Sequence, residues 1–299
     1  CIRDSPYINV GETLNQGIDA NLEYSQKISN VFVTARGNFT YNRNKMINND
    51  DPDWEYKYQN RIGKPFGSYG SVQPFGLKAL GLFASQEEID NSPKQTYGEY
   101  RVGDIRYQDI NGDGVIDSQD EVALGYTNMP EIVYGFGATA QWKNWDFNVF
   151  FQGVAHTSFF LAGASLRSPF SSGSMERSAV NEDIYGNVWM STNTPEQNDR
   201  AIYPRLSLSN QAGSSNNNQT SDWWLRDGSF LRLKNFEIGY TLPKKLLGKN
   251  FIRSLRFYVA ANNLLTFCNF KLWDPEKGSS DGSGYPLNRV VTLGFNINL

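Results

Sequence analysis

The stretch Ile132-Val-Tyr-Gly-Phe-Gly-Ala-Thr-Ala-Gln-Trp142-Lys-Asn-Trp145-Asp-Phe-Asn-Val-Phe-Phe-Gln152 decides the fold. In its first half Ile132, Tyr134, Phe136, Ala138, Ala140 and Trp142 alternate with Gly135, Gly137, Thr139 and Gln141. In its second half Trp145, Phe147, Val149 and Phe151 interleave with Asp146, Asn148 and Gln152. A period of two is the signature of a strand with one apolar and one polar face, and Lys143-Asn144 between the halves is a tight turn. The pair is therefore a hairpin with tryptophans at its turn end, where an aromatic girdle meets a membrane interface.

The same pattern recurs outward from this hairpin. Ile18, Ala20, Leu22 and Tyr24 alternate with Asp19, Asn21 and Glu23, and Val31, Val33, Ala35, Phe39 and Tyr41 follow with Thr34, Arg36, Asn38 and Thr40. Downstream, Leu231 and Leu233 change phase to Phe236, Ile238, Tyr240 and Leu242, a slip that predicts a β-bulge near Lys234 and Asn235. Leu255 to Ala261 and Val291 to Leu299 complete about seven strands. Short turns join them on one side, roughly 26–30, 143–144 and 243–253, and long polar connections on the other, roughly 47–130, 158–227 and 268–288. Connections of that length argue against a compact soluble domain, whereas an outer-membrane barrel has this lopsided loop plan. The expected fold is all-β: an antiparallel transmembrane barrel wall, whose odd strand count requires further strands to close. A soluble β-sandwich is the alternative.

Composition excludes several functions. Across 299 residues, Lys+Arg 28 against Asp+Glu 31 leave no basic field for nucleic acid. Mean hydropathy is −0.52 and no apolar run is long enough for a membrane helix, but strands of alternating polarity average to such a value. With His156 as the sole histidine, at the end of an alternating strand, catalytic constellations lack a base and no enzyme is expected. Cys1 and Cys268 form neither a CxxC pair nor a disulfide framework. Cys1 reads as a cut end, with a lipid-modified cysteine as the sharper alternative, and Leu299 as a true C-terminus.

Asp109-Ile-Asn111-Gly-Asp113-Gly-Val115-Ile-Asp117-Ser-Gln-Asp120 is the sharpest local motif. It sets side-chain oxygens at positions 1, 3, 5, 9 and 12 of an EF-hand-like loop, with the Val115 carbonyl at position 7 and Gly114 at the sharp turn. Asp120 stands where an EF-hand has Glu, as in dockerin-type loops, so the expectation is a structural Ca²⁺ that stiffens a long loop. Trp223 and Trp224 are the candidate substrate-binding residues, a sugar-stacking platform set against a loop-packing pair. Gly63 to Gly70 reads as irregular loop rather than a phosphate cradle, and Ser207 to Ser221 as exposed loop.

Several phrases together resemble the SusC/RagA family of TonB-dependent outer-membrane transporters of Bacteroidota. They are Gly103-Asp-Ile-Arg-Tyr-Gln-Asp109, Pro130-Glu-Ile-Val-Tyr-Gly-Phe136, Asp227-Gly-Ser-Phe-Leu-Arg-Leu-Lys-Asn235, Gly239-Tyr-Thr-Leu-Pro243, Ala261-Asn-Asn-Leu-Leu265 and Tyr285-Pro-Leu-Asn-Arg289. The resemblance runs in the order of the C-terminal third of such a protein. It implies a barrel of about twenty-two strands plugged by an N-terminal domain, a SusD-like lipoprotein lid, energy from TonB, and import of oligosaccharides or peptides for nutrient uptake. The plug, the TonB-contacting region and the earlier strands are absent from this sequence, so it would act within a complete barrel in the outer membrane of a Gram-negative bacterium. Thr292, Gly294, Ile297 and Leu299 resemble the C-terminal signal read by the barrel-assembly machinery. A calcium-binding extracellular β-domain or adhesin that binds glycan without transport is the rival reading, and a passive porin a third.

Overall fold

The computed structural model describes residues 11–49, 53–65, 73–161, 182–207, 214–248, 251–278, 282 and 284–299. The readings at Cys1, at most of Gly63–Gly70 and at residues 208–213 lie outside the described residues. One seven-stranded antiparallel sheet forms the wall: β1 (Glu12–Ile28), β2 (Val31–Asn48), β3 (Ile132–Trp142), β4 (Trp145–Ala155), β5 (Phe230–Thr241), β6 (Ser254–Phe267) and β7 (Val290–Asn298). The strands pair strictly in chain order, as an up-and-down meander. The hairpin of the opening stretch pairs Trp142 with Trp145 across Lys143-Asn144, and Lys143 takes the left-handed backbone (φ 54°) that so tight a turn needs. The anticipated bulge is present: β5 shifts register between Leu233 and Asn235 against β6, and β4 shifts opposite it between Phe150 and Phe151.

Strand length is where sequence and structure part. The first hairpin runs 17 and 18 residues, well beyond the 18–41 alternation, because the mostly polar Glu12–Gly17 and Asn42–Asn48 stay paired, with one register shift between Glu12 and Thr13. These strands continue past the apolar band to carry the long connections away from it.

The apolar outer face is open to its surroundings. Ile18 is 66% exposed, Leu22 73%, Leu293 79% and Phe295 63%, values that no water-facing sheet tolerates as a continuous surface. Opposite them, Asp19 accepts from Thr40, Ser25 meets Thr34 at 2.8 Å, and Arg36 donates to Asn148. This arrangement is a barrel wall, greasy outside and wet inside. Among the described residues no helix is long and apolar enough to cross a membrane.

The buried core lies outside this wall. Leu77, Ile105, Tyr107, Ile116, Phe159, Leu161, Ile184, Val188, Tyr203, Trp224 and Phe270 form one cluster drawn from all three long connections. Those connections fold together into a cap stitched by two-stranded ribbons: Phe75–Gly76 with Val122–Ala123, Ala79–Leu82 with Ile105–Tyr107, and Ser158–Phe160 with Leu225–Asp227.

Candidate functional site

Two sites were expected in the connections, and a third emerges inside the wall. The 109–120 loop is built by backbone-directed side chains. Asp109 accepts from the N–H groups of Gly112 (2.6 Å) and Gly114 (2.9 Å), Asn111 Oδ1 from Asp113, Asp113 Oδ1 from Val115 and Asp117 Oδ1 from Gln119. Gly112 and Gly114 both adopt positive φ, which lets the chain coil this tightly. Asp120 is fully buried and accepts from Ile110, Asn111 and Asp117, closing the loop on itself. The loop is fixed to the cap from two sides. Val115–Ile116 pairs in parallel with Lys94–Gln95, sinking Ile116 into the core, while Tyr58 and Gln59 donate to the carbonyls of Gln119 and Ser118.

Among the described residues, no three Asp, Glu, His or Cys side chains converge as a preformed metal centre. The donor chemistry is nevertheless that of a hard cation: carboxylate, amide and carbonyl oxygens, with lone pairs left over after the backbone bonds are counted. Among the described ion pairs, none neutralises Asp109, Asp113, Asp117 or Asp120. The charge is felt nearby. Burial first, then Glu121, Asp117 and Asp120, push the Tyr97 hydroxyl well above its ordinary range, and burial followed by Asp120 raises Tyr58.

The tryptophan pair divides. Trp224 is fully buried, donates from Nε1 to the Asn217 carbonyl at 2.7 Å and packs against Tyr203, so it cannot offer a face to a ligand; it is a core residue. Trp223 is half-buried and borders two recesses on the cap. One, of about 460 Å³, is also lined by Phe83, Trp189, Asn193 and Asn198, and the other, of about 450 Å³, by Ile202, Asp222 and Arg226. Arg226 continues into a third recess of about 310 Å³ with Asp183, Tyr203 and Lys271. Burial lowers the Arg226 guanidinium, and burial with the 2.6 Å bond to Asp183 raises Tyr203. The exposed-loop reading of Ser207–Ser221 is likewise corrected over 214–221. There Asn216 and Asn217 are buried and hold the cap together: Asn216 meets Gln95 at 2.7 Å, and Asn217 meets Asp104 at 2.9 Å and the Ile105 N–H at 2.9 Å.

His156 ends β4 in a left-handed conformation, stacked on Tyr126 (4.5 Å) with Nδ1 3.1 Å from Glu131. It joins the end of the strand to the cap, where the alternation predicted a wall residue.

On the wet face Arg256 bridges three strands. It bonds Asp146 of β4 through Nε (3.0 Å) and Nη2, and Glu237 of β5 at 2.5 Å. Asp146 and Arg256 are two strands apart and meet over Gly239, where a Cβ would lie 2.6 Å from both Arg256 Nε and Asp146 Oδ2. Alternation already put Asp146 and Arg256 on the wet face; their pairing across an intervening strand, and the need for glycine beneath it, have no signature in local sequence.

An antiparallel meander with a lipid-suited outer face, a charged inner face and one-sided connections is part of a β-barrel wall. The comparisons with known proteins name the kind of barrel. No family model matches the chain. A TonB-dependent receptor of Formosa agariphila is 33% identical over 236 residues, covering 74% of this chain and 22% of that protein. A second from the same organism is 28% identical, covering 97% and 29%, and the TonB-dependent receptor SusC of Bacteroides thetaiotaomicron is 23% identical, covering 97% and 27%. Among solved structures, that of the RagAB peptide transporter superposes with a TM-score of 0.67 at 23% identity over 98% of this chain and 30% of that one. The chain belongs to the SusC/RagA-like TonB-dependent receptors, and it spans 22–30% of the length of these relatives.

Proposed function

We propose that the chain supplies wall and outer cap to a TonB-dependent importer in the outer membrane of a Gram-negative bacterium, taking up oligosaccharides or peptides with a SusD-like lipoprotein. The observation that carries this is the asymmetry of the wall. All three long connections gather into one folded cap at one end, and only short turns mark the other. The cap then faces outward to cargo and lipoprotein, and the turns face the periplasm and TonB. The names of two relatives, SusC and the RagAB peptide transporter, agree with import rather than with chemistry, and no catalytic role is assigned. Residues 1–299 form the C-terminal part of the barrel, with the plug contributed by another region of the receptor. Trp223, bordering the cap recesses, replaces the tryptophan pair as the stacking surface for cargo. In β7 and just after it, Thr292 and Gly294 on the wet face and Ile297 and Leu299 on the outer face form the assembly signal, displayed on a strand whose second edge is free among the described residues.

The test is uptake of labelled oligosaccharide or peptide pools by cells carrying the whole receptor, with and without the proton-motive force. Import that collapses with the force supports the reading. Uptake that survives its loss identifies a passive pore, and binding without uptake identifies an adhesin.

The 109–120 loop holds a structural Ca²⁺ in this proposal, through Asp109, Asn111, Asp113, Asp117, Asp120 and the Val115 carbonyl. Its support is four carboxylates gathered without an ion-pair partner among the described residues, one of them fully buried, a charge that a divalent cation would neutralise. The metal would stiffen a loop that already pins Ile116 into the cap core.

A further inference from the structure

Charge is divided sharply between the two ends of the wall. The connection at 49–131 carries fifteen acidic against seven basic residues. The three short turns, 29–30, 143–144 and 242–253, carry Lys143, Lys244, Lys245, Lys249 and Arg253 and no acidic residue at all. Lys143, Lys244, Lys245 and Arg253 are exposed, and among the described ion pairs none engages them. The nearest turn-side acid on the neighbouring strands, Asp146, is held on the wet face by Arg256.

Apolar and aromatic groups frame these cations. Cross-strand pairing runs Ile28–Val31–Trp142–Trp145–Tyr240–Phe257–Phe295, one residue from each of the seven strands on the outer face. Lys143 Nζ lies 5.0 Å from the centre of the Trp142 ring, which keeps that ammonium on the outer side of the rim. In the 242–253 turn, Leu246 is 71% exposed and Phe251 79%, each within two residues of a lysine or of Arg253 in sequence. Cations set just beyond an aromatic band, with bare Leu and Phe among them, fit a bilayer surface: rings and aliphatic groups enter the headgroup boundary while ammonium and guanidinium groups meet phosphate.

We infer that the turn-side rim, through Lys143, Lys244, Lys245 and Arg253 with Trp142, Leu246 and Phe251, binds anionic glycerophospholipid of the leaflet on that side. This rests on the membrane-barrel reading above. The acidic cap would repel the same headgroups, so the rim also biases which end of the wall meets which leaflet. Each basic group at an anionic surface contributes about a fivefold change in binding, and four such groups acting together give a selective annulus.

The whole receptor is purified, exchanged into nanodiscs of phosphatidylcholine with equal small fractions of phosphatidylglycerol and phosphatidylethanolamine, released and examined by native mass spectrometry for retained lipid. The expected result is phosphatidylglycerol enriched over phosphatidylethanolamine, with enrichment falling at least about tenfold in K143Q/K244Q/K245Q/R253Q and retained when the three lysines become arginine. Equal retention of the two lipids by the natural receptor overturns the inference, as does undiminished enrichment in the glutamine variant or stronger capture of lipid A supplied in parallel. Heat-modifiable migration is scored on every sample. A receptor that is not heat-modifiable fails the barrel reading, whereas a heat-modifiable receptor without lipid preference fails only this inference.

Discussion

Gly239 does at one position what no neighbouring residue type could. The bond between Asp146 and Arg256 passes over β5, and any side chain there would part them. Gly239→Leu is therefore expected to separate the pair and leave Asp146 without its cation while Arg256 keeps Glu237, a cost of about 1 kcal/mol for so partly exposed a pair. The heat at which the whole receptor loses its compact gel migration should fall by several degrees, while Gly186→Ala, at a glycine with open space around it, should leave it unchanged. The metal loop makes a second prediction at this scale. Asp109→Ala with Asp113→Ala should abolish receptor-bound Ca²⁺ measured by plasma emission while the wall stays heat-modifiable, and unchanged metal content would refute the assignment. The loop's residue types and spacing were legible because its side chains bond almost entirely within the loop itself, over two to ten residues. The burial of Trp224 was not, because its partners Tyr203 and Asn217 reach it only after two segments of the cap have come together.

At the scale of elements, what could be read and what could not separate along the same line. A strand with one face in lipid and one in water writes its period of two into adjacent residues, so all seven wall strands, the Lys143-Asn144 turn and the bulge at Leu233–Asn235 followed from alternation alone. The cap's ribbons are two to four residues long and owe their pairing to contacts as remote as Gln95 with Asn216 and the Leu77–Ser221 bridge. No local period marks such elements. Their dependence on a few buried amides is testable. Asn217→Leu removes bonds to Asp104 and to the Ile105 N–H, leaving a buried carboxylate and a buried donor poorly satisfied, at about 1–3 kcal/mol for each. Limited proteolysis of the whole receptor should then cut both the 49–131 and 156–229 connections faster, because Asn217 joins them, while the wall fragments remain intact. Cleavage confined to one connection would mean that the two fold independently.

The whole molecule combines a self-sufficient cap with a wall that is not. The cap has a closed apolar core, yet among the described residues β1 pairs only with β2 and β7 only with β6, so the sheet has two free edges there and an outer face of bare Ile, Leu and Phe. In lipid an unpaired edge leaves a row of N–H and C=O groups unsatisfied, each costing several kcal/mol, and only closure removes it. The wall must therefore be completed by strands outside this chain. Residues 1–299 directed alone to the outer membrane should yield no heat-modifiable species and should collect as aggregate or be degraded. Made as a second polypeptide beside the remaining wall and plug, the same residues should restore a heat-modifiable barrel, since β1 and β7 then find their neighbours. A stable, protease-resistant monomer from 1–299 alone would require the edges to be satisfied within the chain, by β1 pairing with β7. The pairing of the seven strands gives no such contact, and a seven-stranded closure would crush the inner face, where Arg256, Glu237 and Asp146 already fill the space above Gly239.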